Sequence, residues 1–497
     1  MGWEPICDEY NILTNGSTVI RTLKGHVLGP KTTVLVANRG EIACRIIRAA
    51  KGIGLRTAAV FSEVDEKLPH VSMADTAIAI GGTRAADSYL NVTKVLDAAT
   101  SVGATLIHPG YGFLSENADF ARACSREKIT FVGPSPESIE IMGNKERARE
   151  LACSIGVPLL RGTERLNLAR ESEVLDGGIE VGFPLLVKAA SGGGGIGMRI
   201  VENRAELLHA VQGTSQMALK AFGDGSVFLE QLLDEARHVE VQVFGFGGGE
   251  AVSLFDRDCS LQRRYQKIIE EAPAPGIPQQ LRNAMAESAI ALAEHISYEG
   301  AGTVEFLFHE DTNEYFFLEM NTRIQVEHPV TEMITGADLV AAQMLHALNI
   351  DCKETLSAAS SKINGHAIEA RIYAEQPERN FFPSPGKIER LTMPDRCNIR
   401  IDYGYVEGNT VSPFYDPMLM KVIGHGESRT QASRNLVDAV GAIRVDGIRT
   451  NLNFLKFLLM EPEFAECNLH TRLVDEIQER WLAVSRGARS TLSAGEK

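Results

Sequence analysis

The 497-residue chain has no pair of cysteines at C-x-x-C spacing; its eight cysteines are scattered from Cys7 to Cys467. That disfavours a disulfide framework or a zinc site, and a reducing, cytoplasmic setting fits better. No apolar run reaches 18 residues, so nothing in the sequence reads as a membrane span. The first 30 residues carry Glu4, Asp8 and Glu9 without a continuous apolar segment, which argues against a signal or transit peptide. They read as a loosely held arm. Net positive charge is also lacking. A formal charge of −15 disfavours coating of nucleic acid, whose affinity rests on phosphate neutralisation. A small anionic ligand needs only a local positive site and stays open. Two nucleotide fingerprints are missing: no G-x-G-x-x-G follows the first strand, and no G-x-x-x-x-G-K-[ST] occurs.

What is present is a chain 44% hydrophobic and too long for one core, so two to four domains are expected. "TTVLVAN" (32–38), "RGEIACRIIRAAKGIG" (39–54) and "LRTAAVFS" (55–62) read as strand, helix and strand. Spacing of this kind is a βαβ unit and predicts a parallel sheet in an opening α/β domain over 31–143. From 144 the texture changes. A helix, "NKERARELACSIGVP", precedes a small α+β unit at about 160–232, built on "GFPLLVKAASGGGGIGMRIV" and "VFLEQLL". Two antiparallel hairpins follow, at 238–260 and 302–321, with a helix at 279–296 between them. Residues 366–475 suggest a last α+β domain, and 476–497 a frayed tail.

Three groups of residues could carry chemistry. The cluster "SGGGGIGM" (191–198) is either a hairpin tip or a phosphate cradle made of bare N–H groups. Lys188 ends an apolar strand, where a charge needs a partner, and Lys145 lies at the same domain boundary, where a snorkelling lysine is the plain alternative. In the second hairpin, Glu319 and Asn321 share a face by the period of two, and Glu305 falls opposite them. These are hard oxygen ligands suited to Mg²⁺, or else rim acids paired with arginines. The third group, "CSLQRRYQK" with "NTRIQVEHPVTEM", concentrates positive charge in an acidic chain. It is either a solvated charge run or the seat of a small anion such as bicarbonate or phosphate.

The stretches "VANRGEIACRIIRAA", "IHPGYGFLSENADFA", "KAASGGGGIGM", "RHVEVQVFG", "DCSLQRRYQK", "EEAPAPG", "GTVEFLF", "FLEMNTRIQVEHPVTEMITGADLV" and "FFPSPGKI" resemble biotin carboxylase over about residues 31–475. The resemblance implies an ATP-grasp fold with a Rossmann-like N-terminal domain, a mobile glycine-loop lid and a C-terminal α+β domain. It also implies that ATP and bicarbonate form carboxyphosphate, whose CO2 passes to biotin on a carrier protein or domain, with Mg²⁺ or Mn²⁺ as the metal. Carried over by position, Gly192, Gly193, Gly194 and Gly195 are the lid loop, and Lys145 and Lys188 touch the nucleotide phosphates. Glu230 and Leu233 hold adenine, and His238 and Gln262 line its pocket. Glu305 and Glu319, with Asn321, match the metal site. Lys267, Arg323, Gln325 and Val326 match the bicarbonate site, Glu327 its general base, and Arg371 the group that stabilises the biotin enolate.

Two positions depart from the commonest pattern: Ile196 in the glycine loop and Tyr265 in "QRRYQK". The isoleucine loop, "FGDGSVFLE" and "GNTVSPFYDPMLMKVIGHG" look more like the carboxylase portion of urea carboxylase, so the implied acceptor is either acyl-CoA or urea-like. Neither a carboxyltransferase nor the E-A-M-K-M carrier signature is seen; "DPMLMK" (416–421) reads as core strand. The resemblance therefore implies a carrier and a carboxyltransferase on other chains, unless this sequence is part of a larger multidomain carboxylase, and it implies a homodimer. Another ATP-grasp ligase acting on a different carboxylate, and a non-catalytic nucleotide-binding homologue, are the competing readings.

Overall fold

The computed structural model describes residues 32–190 and 197–494. The glycine-loop residues Gly192–Gly195, Ile196 and the arm 1–30 lie outside the described residues. The opening unit is a five-stranded parallel sheet. Its strands are β1 (Thr33–Val36), β2 (Arg56–Phe61), β3 (Thr76–Ala79), β4 (Leu106–His108) and β5 (Thr130–Phe131), in the order β3-β2-β1-β4-β5. β1, one threonine followed by Val34, Leu35 and Val36, is buried at every position, as a strand between two helical layers requires. The helix Gly40–Gly52 buries Ile42, Ile46, Ile47 and Ala50, the stripe its period predicts. β3 gives little signal in sequence because it is a mostly exposed edge strand. Chain order reverses between β1 and β4, and the loops after these two strands form a crevice of the kind where open α/β sheets bind ligands. Asn38 ties them together, donating to the carbonyls of Pro109 and Tyr111 at 2.7 Å each.

A small three-stranded unit follows: β6 (Leu185–Ala189), β7 (Met198–Val201) and β8 (Val227–Gln231), antiparallel in the order β7-β6-β8. The helices Glu171–Val181 and Arg204–Phe222 cover it, giving it a core of its own that includes Val174, Leu185, Val187, Leu207 and Leu229.

The centre is an eight-stranded sheet whose neighbours are all antiparallel. Its strands are β9 (Arg237–Gly247), β10 (Glu250–Arg263), β11 (Gln266–Ala272), β12 (Glu299–His309), β13 (Glu314–Asn321), β14 (His366–Tyr373), β15 (Ile399–Tyr403) and β16 (Met418–Gly426). They run in the order β13-β12-β9-β10-β11-β14-β16-β15. Both expected hairpins are there, β9–β10 and β12–β13. The three long strands of the segment after 366 extend this sheet rather than founding one of their own. β16 contains the "MLMK" run as buried strand, consistent with core packing. At Gly404, just after β15, a Cβ would lie 2.4 Å from the Glu41 nitrogen, so only glycine lets this backbone rest on the start of helix Gly40–Gly52.

The tail departs from expectation. Residues 476–494 are not frayed but belong to the helix Leu473–Ala494. Its first turns bury Leu473, Val474 and Ile477, and Trp481 stacks edge-on against Phe454. Its serine- and alanine-rich composition hid the apolar stripe of its first turns.

Away from the cavity, Glu271 on β11 is buried and receives Arg429 through two bonds of 2.7 and 2.9 Å, with His366 Nε2 2.7 Å away. Burial alone would raise its pKa, but the bonds from His366 and Arg429 and the guanidinium charge win and hold it at about 2. A depressed carboxylate stabilises the fold fully above its unfolded value near 4.3, and that stability is lost as pH falls toward about 2. The shift corresponds to about 3 kcal/mol. The stability gap between wild type and Glu271→Gln, read by urea unfolding, should therefore narrow as pH falls from about 4.5 to about 2. A gap independent of pH would show that the ion pair contributes nothing.

Candidate active site

Glu305 on β12 and Glu319 on β13 are cross-strand partners, and Asn321 lies two residues further along the same face. Asn321 Nδ2 donates to Glu305 Oε1 at 2.9 Å. The carboxyl of Glu319 is pushed up first by burial and then by the charge of Glu305, with Lys145 and Lys188 opposing. Two crowded carboxylates and an amide oxygen form a donor set that fits a hard divalent cation, which would relieve their repulsion. A pairing of these acids with rim arginines is not what the structure has. Another group, His238, Glu240 and Glu305, also brings its ligand atoms within 4.8 Å of one another. There a cation is already in place: the ammonium of Lys267.

Lys267 is the hub of the site. Its Nζ donates to Glu240 Oε2 at 2.6 Å, Glu305 Oε1 at 2.9 Å and Glu327 Oε1 at 2.6 Å. Burial works against its charge, but these three carboxylates hold its pKa well above the ordinary lysine value. Glu240 is fixed from behind by the fully buried Arg257, which also donates to Gln242 and Thr331 at 2.8 Å and to Thr303 at 3.0 Å. Sequence reading missed Glu240. The signal was in β9, where His238, Glu240 and Gln242 alternate with Val239, Val241 and Val243, a polar face on a strand buried on both sides.

Glu327 stands at the N-cap position of the helix His328–Thr335, its side chain turned to the cavity cations rather than capping the helix, and is fully buried. Its second oxygen accepts from Arg371 Nη2 at 2.9 Å, and Arg371 also pairs with Glu270. Burial would raise the Glu327 pKa, but Lys267 and Arg371 hold it well below the usual carboxylate range. Arg323 is held by Glu116 Oε2 at 2.9 Å, Asn321 Oδ1 at 3.0 Å and Gln325 Oε1 at 3.0 Å. Gln325 in turn donates to Glu305 at 3.2 Å. Val326 contributes its carbonyl, which accepts from Lys421 at 2.7 Å. Glu116, in "FLSENADF", is a second residue whose role no local pattern announced.

The nucleotide candidates divide. Lys188 is buried and pairs with Glu230 Oε2 at 2.5 Å, and Arg149 donates to Glu230 Oε1 at 2.8 Å. Lys145 is half-buried beside it, its pKa lowered by burial, with Glu319 opposing and Lys188 adding to the shift. His238 Nε2 lies 2.9 Å from Glu305, and its Nδ1 is 2.8 Å from Gln262 Nε2. Burial lowers the His238 pKa and the carboxylate raises it, with a net rise. Lys145, Lys188, His238 and Gln262 line one cavity of about 760 Å³, together with Lys267, Glu305, Glu319, Asn321, Arg323, Gln325, Val326, Glu327 and Arg371. That volume lies within the range of roughly 300–1,000 Å³ usual for small-molecule sites. Glu230 reaches the cavity only through Lys188, and Leu233 is half-buried away from its lining.

The basic run is split by a turn. Gln262 and Arg263 are buried, Arg263 donating to Glu375, whereas Arg264 and Tyr265 are exposed. Arg264 and Tyr265 form the two-residue turn between β10 and β11, at φ 48° and 63°. Side chains in that left-handed region cost free energy that glycine or asparagine would avoid. The strained turn puts Tyr265 at the cavity mouth and aligns Gln262 with Lys267 across the strands. Of the polar residues in this group, Arg263, Arg264 and His328 do not line the cavity, and His328 Nδ1 donates to the Gln325 carbonyl at 2.7 Å.

Comparison with known proteins covers most of residues 30–476. Residues 30–139 match the biotin carboxylase N-terminal domain, 144–355 the carbamoyl-phosphate synthase L chain ATP-binding domain, and 369–476 the biotin carboxylase C-terminal domain. Biotin carboxylase 2 of Bacillus subtilis is 47% identical, with 88% of this chain and 98% of that one aligned. The mitochondrial methylcrotonoyl-CoA carboxylase alpha subunit of Dictyostelium discoideum is 44% identical over 95% of this chain, which spans 66% of that protein. Urea amidolyase of Saccharomyces cerevisiae is also 44% identical over 90% of this chain, but only 24% of its own length is covered. Among solved structures, the Campylobacter jejuni biotin carboxylase superposes with a TM-score of 0.86 at 39% identity, covering 90% of this chain and 98% of that one. The chain belongs to the biotin carboxylase family, ATP-grasp enzymes that carboxylate biotin at the expense of ATP.

Proposed function

We propose that the cavity runs this reaction in two stages, with bicarbonate activated at Lys267, Arg323 and Glu327, and biotin carboxylated beside Arg371. The supporting observation is the continuous chain Lys267–Glu327–Arg371, in which one carboxylate bridges two cations. Bicarbonate entering beside Lys267 and Arg323 draws their charge away from Glu327. The approach of a second anion raises the affinity of Glu327 for a proton, which turns a pinned carboxylate into a base for the bicarbonate proton. The bicarbonate oxygen then attacks the γ-phosphate, giving carboxyphosphate and ADP. Lys145 and Lys188 hold the phosphates, and a divalent ion between Glu305 and Glu319 would neutralise the same charge. Arg371 is left to meet the negative charge that develops on the ureido oxygen of biotin. A related 2-oxoglutarate carboxylase domain from Hydrogenobacter thermophilus, 40% identical with a TM-score of 0.85, was solved as a dimer with MgADP and bicarbonate. That composition supports the same ligands, and a homodimer, for this chain.

The carboxylated biotin is carried by a partner protein or domain to a carboxyltransferase. Similarity divides equally between the acyl-CoA and urea relatives, 44% each, so it selects neither acceptor. Among the described residues no helix is long and apolar enough to cross a membrane. The seven cysteines described there are free, which supports a reducing, cytoplasmic compartment. The test is ADP release with free biotin in place of a carrier. Turnover should require bicarbonate and rise with biotin. Turnover that ignores bicarbonate and responds to another carboxylate would favour a different ATP-grasp ligase.

A further inference from the structure

Behind Arg371 lies a pair of carboxyls that the reaction scheme leaves unused. Glu270 on β11 and Glu369 on β14 are direct cross-strand partners, both buried, and Arg371 is two residues beyond Glu369 on the same face. Arg371 pairs with Glu270. Neither oxygen of Glu369 has a hydrogen-bond partner among the described residues. The helix His328–Thr335 closes this face, with Val330 and Ile334 packing against Ala272, Ala367 and Ile423.

The charges around the pair do not balance. From β16, Lys421 is fully buried but committed to the Val326 carbonyl at 2.7 Å and to Glu41 at 3.2 Å. His425, further along β16, has its Nε2 2.8 Å from the Asn364 carbonyl. At the covering helix, Glu327 is shared between Lys267 and Arg371, His328 bonds Gln325, and Glu332 is held by Arg45 and Arg400. Arg429, from the helix Arg429–Ala442, is bound to Glu271 on the other face of the sheet. Leaving out Glu305, a candidate metal ligand, and the His238 paired with it, the cluster around the pair still holds Glu41, Glu240, Glu270, Glu327 and Glu369 against Arg257, Lys267, Arg371 and Lys421. An ionised carboxylate buried without a donor is far costlier than a neutral acid, so the excess is relieved by a proton.

We propose that Glu270 and Glu369 form a carboxyl pair that keeps one proton in the folded enzyme and positions Arg371 from behind. With a single negative charge, the pair anchors the guanidinium without pulling it from the cavity. A second charge would draw Arg371 away from Glu327 and from biotin. Burial and the charge of Glu327 outweigh Arg371 and leave Glu270 at about 7, while burial and the charge of Glu270 outweigh Lys421 and Arg371 and hold Glu369 well above the carboxylate range, in keeping with a retained proton. The positioning role rests on the reading of Arg371 given above; the retained proton does not.

Infrared spectroscopy in ²H₂O therefore provides the test, because it needs no turnover. Wild-type enzyme at neutral pH should show a protonated-carboxyl C=O stretch that disappears in Glu369→Gln. The folded state holds a proton that the unfolded chain releases above the ordinary glutamate range, so the pair stabilises less as pH rises. Glu369→Gln has no such proton, and its melting temperature relative to wild type should climb between about pH 5 and about pH 9. For positioning, Glu270→Gln should lower kcat for biotin carboxylation about tenfold with KM for ATP unchanged, and Glu270→Asp should recover part of the loss. Identical bands in wild type and Glu369→Gln, or a melting difference flat with pH, would overturn the retained proton. Equal losses in Glu270→Gln and Glu270→Asp with a raised KM for ATP would overturn the positioning role.

Discussion

Glutamine in place of Glu327 should abolish bicarbonate-dependent ATP cleavage and biotin carboxylation together, each by roughly 10²–10⁴-fold, the usual contribution of a positioned general base. The size follows from the geometry. Among the described residues Glu327 is the one carboxylate that touches both Lys267 and Arg371, at 2.6 and 2.9 Å, so it stands between the two proposed stages. The amide keeps the shape but cannot accept the bicarbonate proton, and no ATP is spent without carboxyphosphate. It also leaves Lys267 with Glu240 and Glu305, and Arg371 with Glu270, so neither cation is stranded. The fold should survive, and circular dichroism beside the two assays checks this. Normal ATP cleavage in Glu327→Gln would remove Glu327 from the first stage.

The second large effect concerns the metal. Glu319→Gln should depress turnover roughly 10²–10³-fold, the scale of losing one preorganised electrostatic contact. Part of the loss should return at high Mg²⁺, because Glu305 and Asn321 remain to hold the ion weakly. In the metal-free protein the same change should leave the melting temperature equal or higher. Glu319 lies directly opposite Glu305, and their mutual repulsion is what pushes its carboxyl up once burial has acted. Activity, magnesium dependence and metal-free melting together separate a ligand from a structural acid. A destabilised metal-free variant with unchanged magnesium dependence would count against the assignment.

Legibility in the sequence depended on how local each signal was. β1 and helix Gly40–Gly52 could be placed from apolar period alone, because each buries a face that its own residues define. The Glu305–Glu319 pairing was also readable, since a short hairpin leaves little freedom of register. Glu116, Glu240 and Glu270 were not. Each matters through a partner distant in sequence: Arg323 is 207 residues from Glu116, and Lys267 is 27 from Glu240. The joining of β14, β15 and β16 to the central sheet was hidden for the same reason, because strand pairing across 100 residues leaves no mark on either strand alone. That Lys188 needs a counter-charge is legible in its apolar strand, but the acid that supplies it, Glu230, is set by β6 lying against β8.

The account stands most directly on the division of labour between Glu327 and Arg371. Arg371→Gln and Glu327→Gln should be compared with wild type for ADP release and for carboxybiotin formed from labelled bicarbonate, in the same reaction. Arg371→Gln should lose carboxybiotin far more than ADP, because carboxyphosphate still forms and then hydrolyses, whereas Glu327→Gln should lose both in proportion. Equal losses of the two products in Arg371→Gln, or wild-type carboxylation in Glu327→Gln, would contradict the two-stage cavity.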